Sequence, residues 1–206
     1  MAIEAVVFDI GRVLVDWNPE GFYDARLGRE TRERFFAETG VTAMNEEIDR
    51  GEPFRETVVA HAARHPDWAG EIMLWHDRWG ELIGPDLPHT GRLLRALKTR
   101  GIPVYALSNV GVETYGIVAK RYPVLAEFDQ LFLSGALRAN KPDPRIYAAL
   151  EDGTGVAPGG LLFTDDRADN IDAAAARGWQ THLFEHPDGL AARLVSEGLL
   201  TEREAV

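Results

Sequence analysis

Residues 6–17 read VVFDIGRVLVDW. The first half is a short run of apolar, β-favouring side chains, the pattern of a strand buried on both faces. Asp9 stands where that run gives out. Two positions on, where a second carboxylate would make an acid–base partner, the chain has Gly11. A lone aspartate here is a nucleophile without its helper, a metal ligand, or a strand-end turn residue, and the local pattern leaves all three open.

Outward from this strand, short apolar runs alternate with helical patterns from Thr90 onward. Residues 89–101, HTGRLLRALKTRG, put Leu93, Leu94 and Leu97 on one helix face and stop at Gly101. Residues 102–108 (IPVYALS), 130–134 (QLFLS), 160–164 (GLLFT) and 180–184 (QTHLF) read as further buried strands. Helices are expected near 112–121, 144–152, 170–177 and 188–197. With a first strand at 3–9, the alternation predicts an α/β fold: a doubly wound, mostly parallel, five-stranded Rossmann-like sheet.

Residues 18–86 break the rhythm. They offer no strand of comparable quality. Asn18-Pro19 fits a helix N-cap followed by proline at the first helical position. Residues 31–40 (TRERFFAETG), 54–65 (FRETVVAHAARH) and 71–79 (EIMLWHDRW) carry apolar side chains at helical spacing. The expectation is a small all-helical insertion over 17–87, hinged near 16–17 and 85–88. The α/β core would comprise 1–16 and 88–206, and 201–206 would fray.

The chain of 206 residues has no cysteine, which removes disulfides, thiolate metal sites and a cysteine nucleophile and agrees with a reducing cytoplasm. No apolar run approaches the roughly 20 residues of a membrane span. The start, MAIEAVVFDI, carries no basic leader, so no signal peptide is expected. A formal charge of -11 counts against nucleic-acid binding. Neither nucleic acid nor membrane is an expected partner; a monomer or weak homodimer is. An anionic substrate would need local positive charge to settle here.

Ligands of open α/β sheets bind outside the carboxyl ends of the strands. The expected strands deliver Asp9, then Ser108-Asn109, then Asp165-Asp166 to that edge, and the loop LRANKPDPRIY supplies Lys141. Each alone is ordinary turn chemistry; four together at strand-to-helix junctions are not.

This set, in this order, resembles the haloacid dehalogenase superfamily of aspartate-nucleophile hydrolases. The matching pieces are FDIGRVLVDW, ALSNV, ANKPDPRIY and LLFTDDRADNIDAA, which span about residues 7 to 175. An insertion after the first strand is that family's cap position. TDDRADN with NKPDPRIY looks most like its small-cap branch, which includes sugar-1-phosphate phosphatases and the phosphatase half of some epoxide hydrolases. The resemblance implies a Mg2+-dependent phosphatase that acts on a small phosphorylated metabolite, such as a sugar phosphate, with Asp9 as nucleophile and an aspartyl-phosphate intermediate. Mg2+ on Asp9 and Asp166 would cancel the repulsion between carboxylate and phosphate. Lys141 would add a fixed positive charge, and Ser108 would bind phosphate oxygens. Asn109 and Arg12 are further candidates for substrate contact. Asp165 would orient a metal-bound water or Lys141, or act only as an electrostatic neighbour. Asn170 matches a position that holds the metal shell in some relatives. Asp169 is expected as N-cap of the following helix, with Asp172 three residues on.

Most phosphatases of the superfamily carry a second aspartate where Gly11 stands. Its side chain protonates the leaving group and its backbone carbonyl ligates the metal. Glycine keeps the carbonyl and loses the acid. Such acid–base help is worth about 10²–10⁴-fold in rate, about 3–5 kcal/mol of barrier. The resemblance thus implies a metal site that includes Gly11 and a preference for leaving groups that need little protonation. Asp16 is the nearest spare carboxylate in sequence. Two other readings stand beside the phosphatase. The superfamily's 2-haloacid dehalogenases also lack the second aspartate, but a pair such as Asp165-Asp166 would repel their carboxylate substrate. A non-catalytic phosphate-ligand binding protein would keep the cradle without turnover.

Other residues invite functional readings. His61 and His65 share a helix face with His76 nearby, but a zinc site needs a third ligand. Trp68, Trp75 and Trp79 suit packing of the insertion, with Trp75 or Trp79 placed to stack on a substrate ring.

Overall fold

The structure is a computed structural model that describes residues 2–206. The opening apolar run forms β1 (Ala5–Phe8), with all four residues buried. A short strand, β2 (Val15–Trp17), follows, and the chain then enters α1 (Pro19–Leu27), α2 (Arg29–Thr39), α3 (Val41–Asp49), α4 (Phe54–Arg64) and α5 (Ala69–Asp77). It returns through β3 (Ile83–Asp86) to α6 (Pro88–Thr99) and β4 (Val104–Ser108). The rest alternates: α7 (Val112–Arg121), β5 (Gln130–Leu133), the short α8 (Ser134–Leu137), α9 (Pro144–Thr154), β6 (Leu161–Asp165), α10 (Ala168–Ala176), β7 (Gln180–Leu183) and α11 (Pro187–Ser196).

The five core strands form one sheet in the order β5-β4-β1-β6-β7, and every pairing is parallel. β1 is central, with Val6 opposite Val104 on one side and Leu162 on the other. Because side chains alternate along a strand, β1 feeds two cores. Val6 and Phe8 pack with Leu93, Leu94, Leu97, Leu190 and Leu194 of α6 and α11. Ala5 and Val7 pack with Ile146, Tyr147, Leu150 and Ala174 of α9 and α10. Helices thus cover both faces, the doubly wound α/β arrangement expected. Strand order reverses at β1, which sets a crevice at the carboxyl edge between β4, β1 and β6.

Local chemistry explains where the helices begin and end. Asn18 Oδ1 accepts from the Gly21 amide at 2.9 Å and Pro19 opens α1, as the Asn-Pro pair implies. α2 stops at Gly40 and α6 one residue before Gly101, both glycines at positive φ. Within the inserted helices Tyr23, Phe35 and Trp75 are fully buried and their rings meet.

Two expectations change. Positions 16–17 and 85–88 do not form a bare hinge, because β2 and β3 pair there as an antiparallel ribbon, Val15 opposite Asp86 and Trp17 opposite Ile83. β3 was illegible because it is four residues long, holds Pro85 and is half exposed, so it shows none of the apolar alternation that marks a strand. The second concerns α10, which starts at Ala168 rather than beyond Asp169; Arg167 is its N-cap residue. Asp169 lies inside the first turn, with its carboxylate on Arg167.

Candidate active site

The carboxyl ends of β1, β4 and β6 bring four of the expected residues into one buried knot. Asp9 follows β1, held by a hydrogen bond from its amide to the Thr164 carbonyl at 2.9 Å. Its Oδ1 accepts from the Ile10 amide at 2.7 Å and lies 2.9 Å from Lys141 Nζ. Its Oδ2 accepts no hydrogen bond from any described residue. Lys141 is 5% exposed, and its ammonium also donates to the Leu107 carbonyl and to Asp165 Oδ2, each at 2.7 Å. Three acceptors thus surround three ammonium hydrogens.

The backbone of Lys141 is clamped by Asn109, whose Oδ1 accepts from the Lys141 amide at 2.6 Å while its Nδ2 donates to the Lys141 carbonyl at 3.0 Å. Each end of that amide thus holds Lys141, while Asn109 also lines the cavity. Asp165, at the end of β6, has no solvent exposure. Its oxygens accept from the Arg167 amide, from Asn170 Nδ2 and from Lys141. Asp166 follows it, and Arg12 approaches its Oδ2 at 3.9 Å. Ser108, at the end of β4, lines the same cavity, and its hydroxyl makes no hydrogen bond to a described residue.

Burial pushes the Asp9 carboxyl up to about 6, against the pull of Lys141. Burial also works against the Lys141 ammonium, but Asp9 and Asp165 outweigh it and hold the group above its ordinary value. Asp166 is raised by burial and by Asp165 beside it.

Above the knot lies a cavity of about 670 Å³. Its lining combines the polar Asp9, Gly11, Asp166 and Lys141 with the apolar or aromatic Trp17, Trp75, Trp79, Ile83 and Val118. Arg12, with φ at 59°, sits at this cavity, its Nε donating to the Trp17 carbonyl and its guanidinium 3.9 Å from Glu20 as well as Asp166. Asn45, Glu46, Asp49 and Arg50 enter the lining from α3 and the residue after it. No sequence signal marked them, since they lie in a helical segment without a motif. Asp16 is not among the lining residues; it packs beside Gly84 in the ribbon.

Asp9, Asp165 and Asp166 each offer a carboxylate oxygen within 4.8 Å of the others, and no other such group of three or more occurs among the described residues. That leaves His61 and His65 without a third ligand; His61 Nε2 instead contacts the Thr39 carbonyl at 2.8 Å. The three carboxylates, with the buried and unpartnered Oδ1 of Asn170 nearby, form an all-oxygen set that suits a hard divalent cation. Of the three, Asp165 is the most heavily hydrogen-bonded, which leaves Asp9 and Asp166 the freer donors.

A haloacid dehalogenase-like hydrolase model matches residues 3–178. The chain belongs to this family. The family's fold is shared by a HAD family enzyme from Bacteroides thetaiotaomicron, solved with magnesium and inorganic phosphate. That structure is 23% identical, with a TM-score of 0.64, and the match covers 89% of this chain and 95% of that one. Among curated family relatives, haloacetate dehalogenase H-2 of Moraxella sp. is 33% identical over 93 residues, 45% of this chain and 42% of that protein. Sesquiterpene phosphatase astK of Aspergillus oryzae is 26% identical over 177 residues, 85% of this chain and 86% of its own length. The match therefore spans under half of the dehalogenase and most of the phosphatase. No helix of the described residues is long and apolar enough to cross a membrane.

Proposed function

We propose that this HAD-like hydrolase is a phosphatase for small phosphate monoesters, with Asp9 as the attacking group. The observation that carries the reading is the split environment of Asp9: one oxygen held by Lys141 and Ile10, the other unbonded, in a cavity shared with Asp166. Lys141 fixes the carboxylate's orientation, and Asp165 and Asn109 fix Lys141. The open oxygen then attacks phosphorus, the bond to the leaving oxygen breaks, and an acyl-phosphate forms on Asp9 for water to hydrolyse. Ser108, with its hydroxyl unbonded at the cavity wall, is placed to donate to a phosphate oxygen, and Arg12 offers a positive charge in the cavity lining. The residues that would hold Mg2+ are Asp9, Asp166, the Gly11 carbonyl and Asn170, and the ion would supply charge that lets a carboxylate approach a phosphate. Asp165 stands behind them as the anchor of Lys141.

The inserted helices act as the cap, and Trp17, Trp75 and Trp79 offer a ring or hydrocarbon face to the alcohol part of the ester. A sugar ring and a terpenoid chain both suit such a wall. The similarity to a sesquiterpene phosphatase over most of both chains supports phosphate-ester chemistry.

The dehalogenase reading draws on Gly11 and on the partial match to a haloacetate dehalogenase. Against it, a haloacid carboxylate would enter beside Asp9 and Asp166, whose negative charges oppose it, with Arg12 already shared between Glu20 and Asp166. The test is phosphate release from a panel of monoesters with Mg2+ and with EDTA, repeated on Asp9→Asn, beside chloride release from haloacetate. Phosphate release that needs Mg2+ and disappears in the variant is expected. Release that survives Asp9→Asn would remove Asp9 from the role, and chloride release without metal would replace the phosphatase with the dehalogenase.

A further inference from the structure

Gly11 leaves the leaving-group oxygen without a donor on the nucleophile loop, and of the other carboxyls that line the cavity (Glu20, Glu46, Asp49 and Asp143) Asp49 is the buried one. Asp49, the last residue of α3, lines the same cavity as Asp9 and Gly11 and is 8% exposed. It forms no ion pair with any described residue. Its Oδ2 accepts from Asn45 Nδ2 at 2.8 Å, and its carboxylate also takes the Gly111 amide. Asn45 Oδ1 in turn accepts from Trp75 Nε1 at 3.1 Å, which fixes the amide's orientation.

The core seats this residue firmly. Ser134 Oγ donates to the Asp49 carbonyl at 2.6 Å, and Asn140 Nδ2 donates to the Glu46 carbonyl at 2.9 Å. Gly51, at φ 95°, lets the turn after α3 lie against the Gly135 carbonyl, where any Cβ would collide. Asp49 is thus a helical-insertion residue held at a fixed place over the core site.

The charged groups around it favour a neutral acid. Burial acts first, then Glu46 on its own helix and Asp9 across the cavity, all raising the carboxyl well above its usual range; the Gly111 amide and Arg50 oppose them. The other cations nearby are engaged elsewhere: Lys141 with Asp9 and Asp165, Arg167 with Asp169, Arg138 with Glu52, and Arg12 between Glu20 and Asp166. A buried carboxyl without a counter-ion is pushed towards its protonated form, and a protonated carboxyl beside a reaction site is a general acid.

We propose that Asp49 donates the proton to the leaving group, the role that Gly11 cannot fill. The inference rests on the phosphatase reading. As Asp9 bonds to phosphorus and the P–O bond breaks, the electron pair goes to the leaving oxygen. That oxygen takes the Asp49 proton and departs as the alcohol. The Asp49 carboxylate then accepts a proton from the water that attacks the acyl-phosphate, which frees Asp9 and phosphate.

The experiment compares wild type with Asp49→Asn on p-nitrophenyl, phenyl and alkyl phosphates in Mg2+. Asparagine keeps one acceptor oxygen and nearly the same shape but cannot donate this proton. The expected loss in kcat is about 10²–10⁴-fold for phenyl and alkyl esters and much smaller for p-nitrophenyl phosphate, whose leaving group needs no acid. Residual p-nitrophenyl activity also reports that the variant is folded. Gly11→Asp in the Asp49→Asn background should restore phenyl phosphate turnover: Gly11 is not at positive φ, and a Cβ there meets only Trp17 Cβ, at 3.6 Å. Independently of turnover, a wild-type-minus-variant infrared difference spectrum at pH 7 should show a neutral carboxyl. An equal loss on all three esters, no loss, or an ionised Asp49 in the spectrum would overturn the proposal while the phosphatase stands. A wild type inactive on every ester would take down both.

Discussion

Asp9→Asn separates what the site costs the fold from what it does for catalysis. Burial moves the Asp9 carboxyl from 3.8 to about 6 even with Lys141 2.9 Å away. A shift of that size corresponds to about 3 kcal/mol between the ionised and neutral forms. Between pH 4 and 6 the folded protein keeps this proton while the unfolded chain has lost it. The folded state therefore binds more protons in that window, and stability falls as pH rises through it. The penalty is absent below the unfolded value and complete above about 6. Asparagine never ionises, so it escapes the penalty. In EDTA at pH 8, Asp9→Asn should melt roughly 6–12 °C above wild type, given about 2–4 °C per kcal/mol at this chain length. The two melting curves should converge near pH 4. Mg2+ at about 100 times its Kd would return about 2.7 kcal/mol to the wild type, so the gap narrows with metal while activity remains with the wild type alone. The assay is calorimetric melting of both proteins from pH 4 to 8, with and without Mg2+. A variant that melts at or below wild type at pH 8 in EDTA would show that the Lys141 pair, not burial, governs Asp9, and the reasoning would fail.

Lys141→Met removes the one cation among the described residues that is bonded to both Asp9 and Asp165, and loss of one partner from a buried pair costs about 3–5 kcal/mol; the urea midpoint at pH 8 measures it, and a loss below about 1 kcal/mol (about a third of the lowest figure) contradicts the arrangement. Asn109→Ala deletes both bonds that clamp the Lys141 backbone, for an expected destabilisation of about 1–3 kcal/mol and a fall in kcat with KM little changed. A matching rise in KM would mean that Asn109 touches substrate after all. Gly51→Ala places a methyl on the Gly135 carbonyl from a left-handed backbone. It should cost at least about 1–2 kcal/mol, seen in thermal melts, and should reduce turnover of phenyl phosphate more than of p-nitrophenyl phosphate.

The sheet was legible because its strands are buried on both faces, so each appears as an unbroken apolar run, and because Gly101 and the Asn18-Pro19 pair mark helix ends by backbone chemistry that acts within a few residues. The knot was legible for a related reason. Asp9, Ser108, Lys141, Asp165 and Asp166 stand at strand ends or in the loop beside them, and a parallel sheet brings such ends to one edge whatever the loops do. The β2–β3 ribbon was not legible, since its pairing joins residues about 70 positions apart in sequence with little apolar signal in either strand. Asp49 was hidden for a different reason. It reaches the cavity only because α3 docks on the core through Ser134, Asn140 and Gly135, contacts between segments that no periodicity connects. The clamp that Asn109 places on the Lys141 backbone was hidden too, because a strand-end amide can bond a neighbouring segment that no periodicity connects to it.

The placement of charge explains why a protein this acidic suits a phosphate ester only under one condition. Lys141 and Asp165 largely cancel each other. Beside the nucleophile stand Asp9 and Asp166, with Glu20, Glu46, Asp49 and Asp143 as further carboxyls in the lining and Arg12, Arg50 and Arg167 as its other cations; the Arg12 side chain is 52% exposed and divided between Asp166 and Glu20. Each carboxylate would repel an incoming unit negative charge 4 Å away by about 4 kcal/mol at the effective dielectric of a protein surface. Lys141 cannot offset this, because its three hydrogens already have acceptors. A divalent cation held by Asp9 and Asp166 would reverse the sign beside the nucleophile, with Lys141 still bonded to its three acceptors. The same logic assigns the acid to the cap side. A second ionised carboxylate at position 11 would add to the repulsion beside the nucleophile, whereas a buried neutral acid on α3 can deliver a proton without bringing a negative charge to the substrate as it binds.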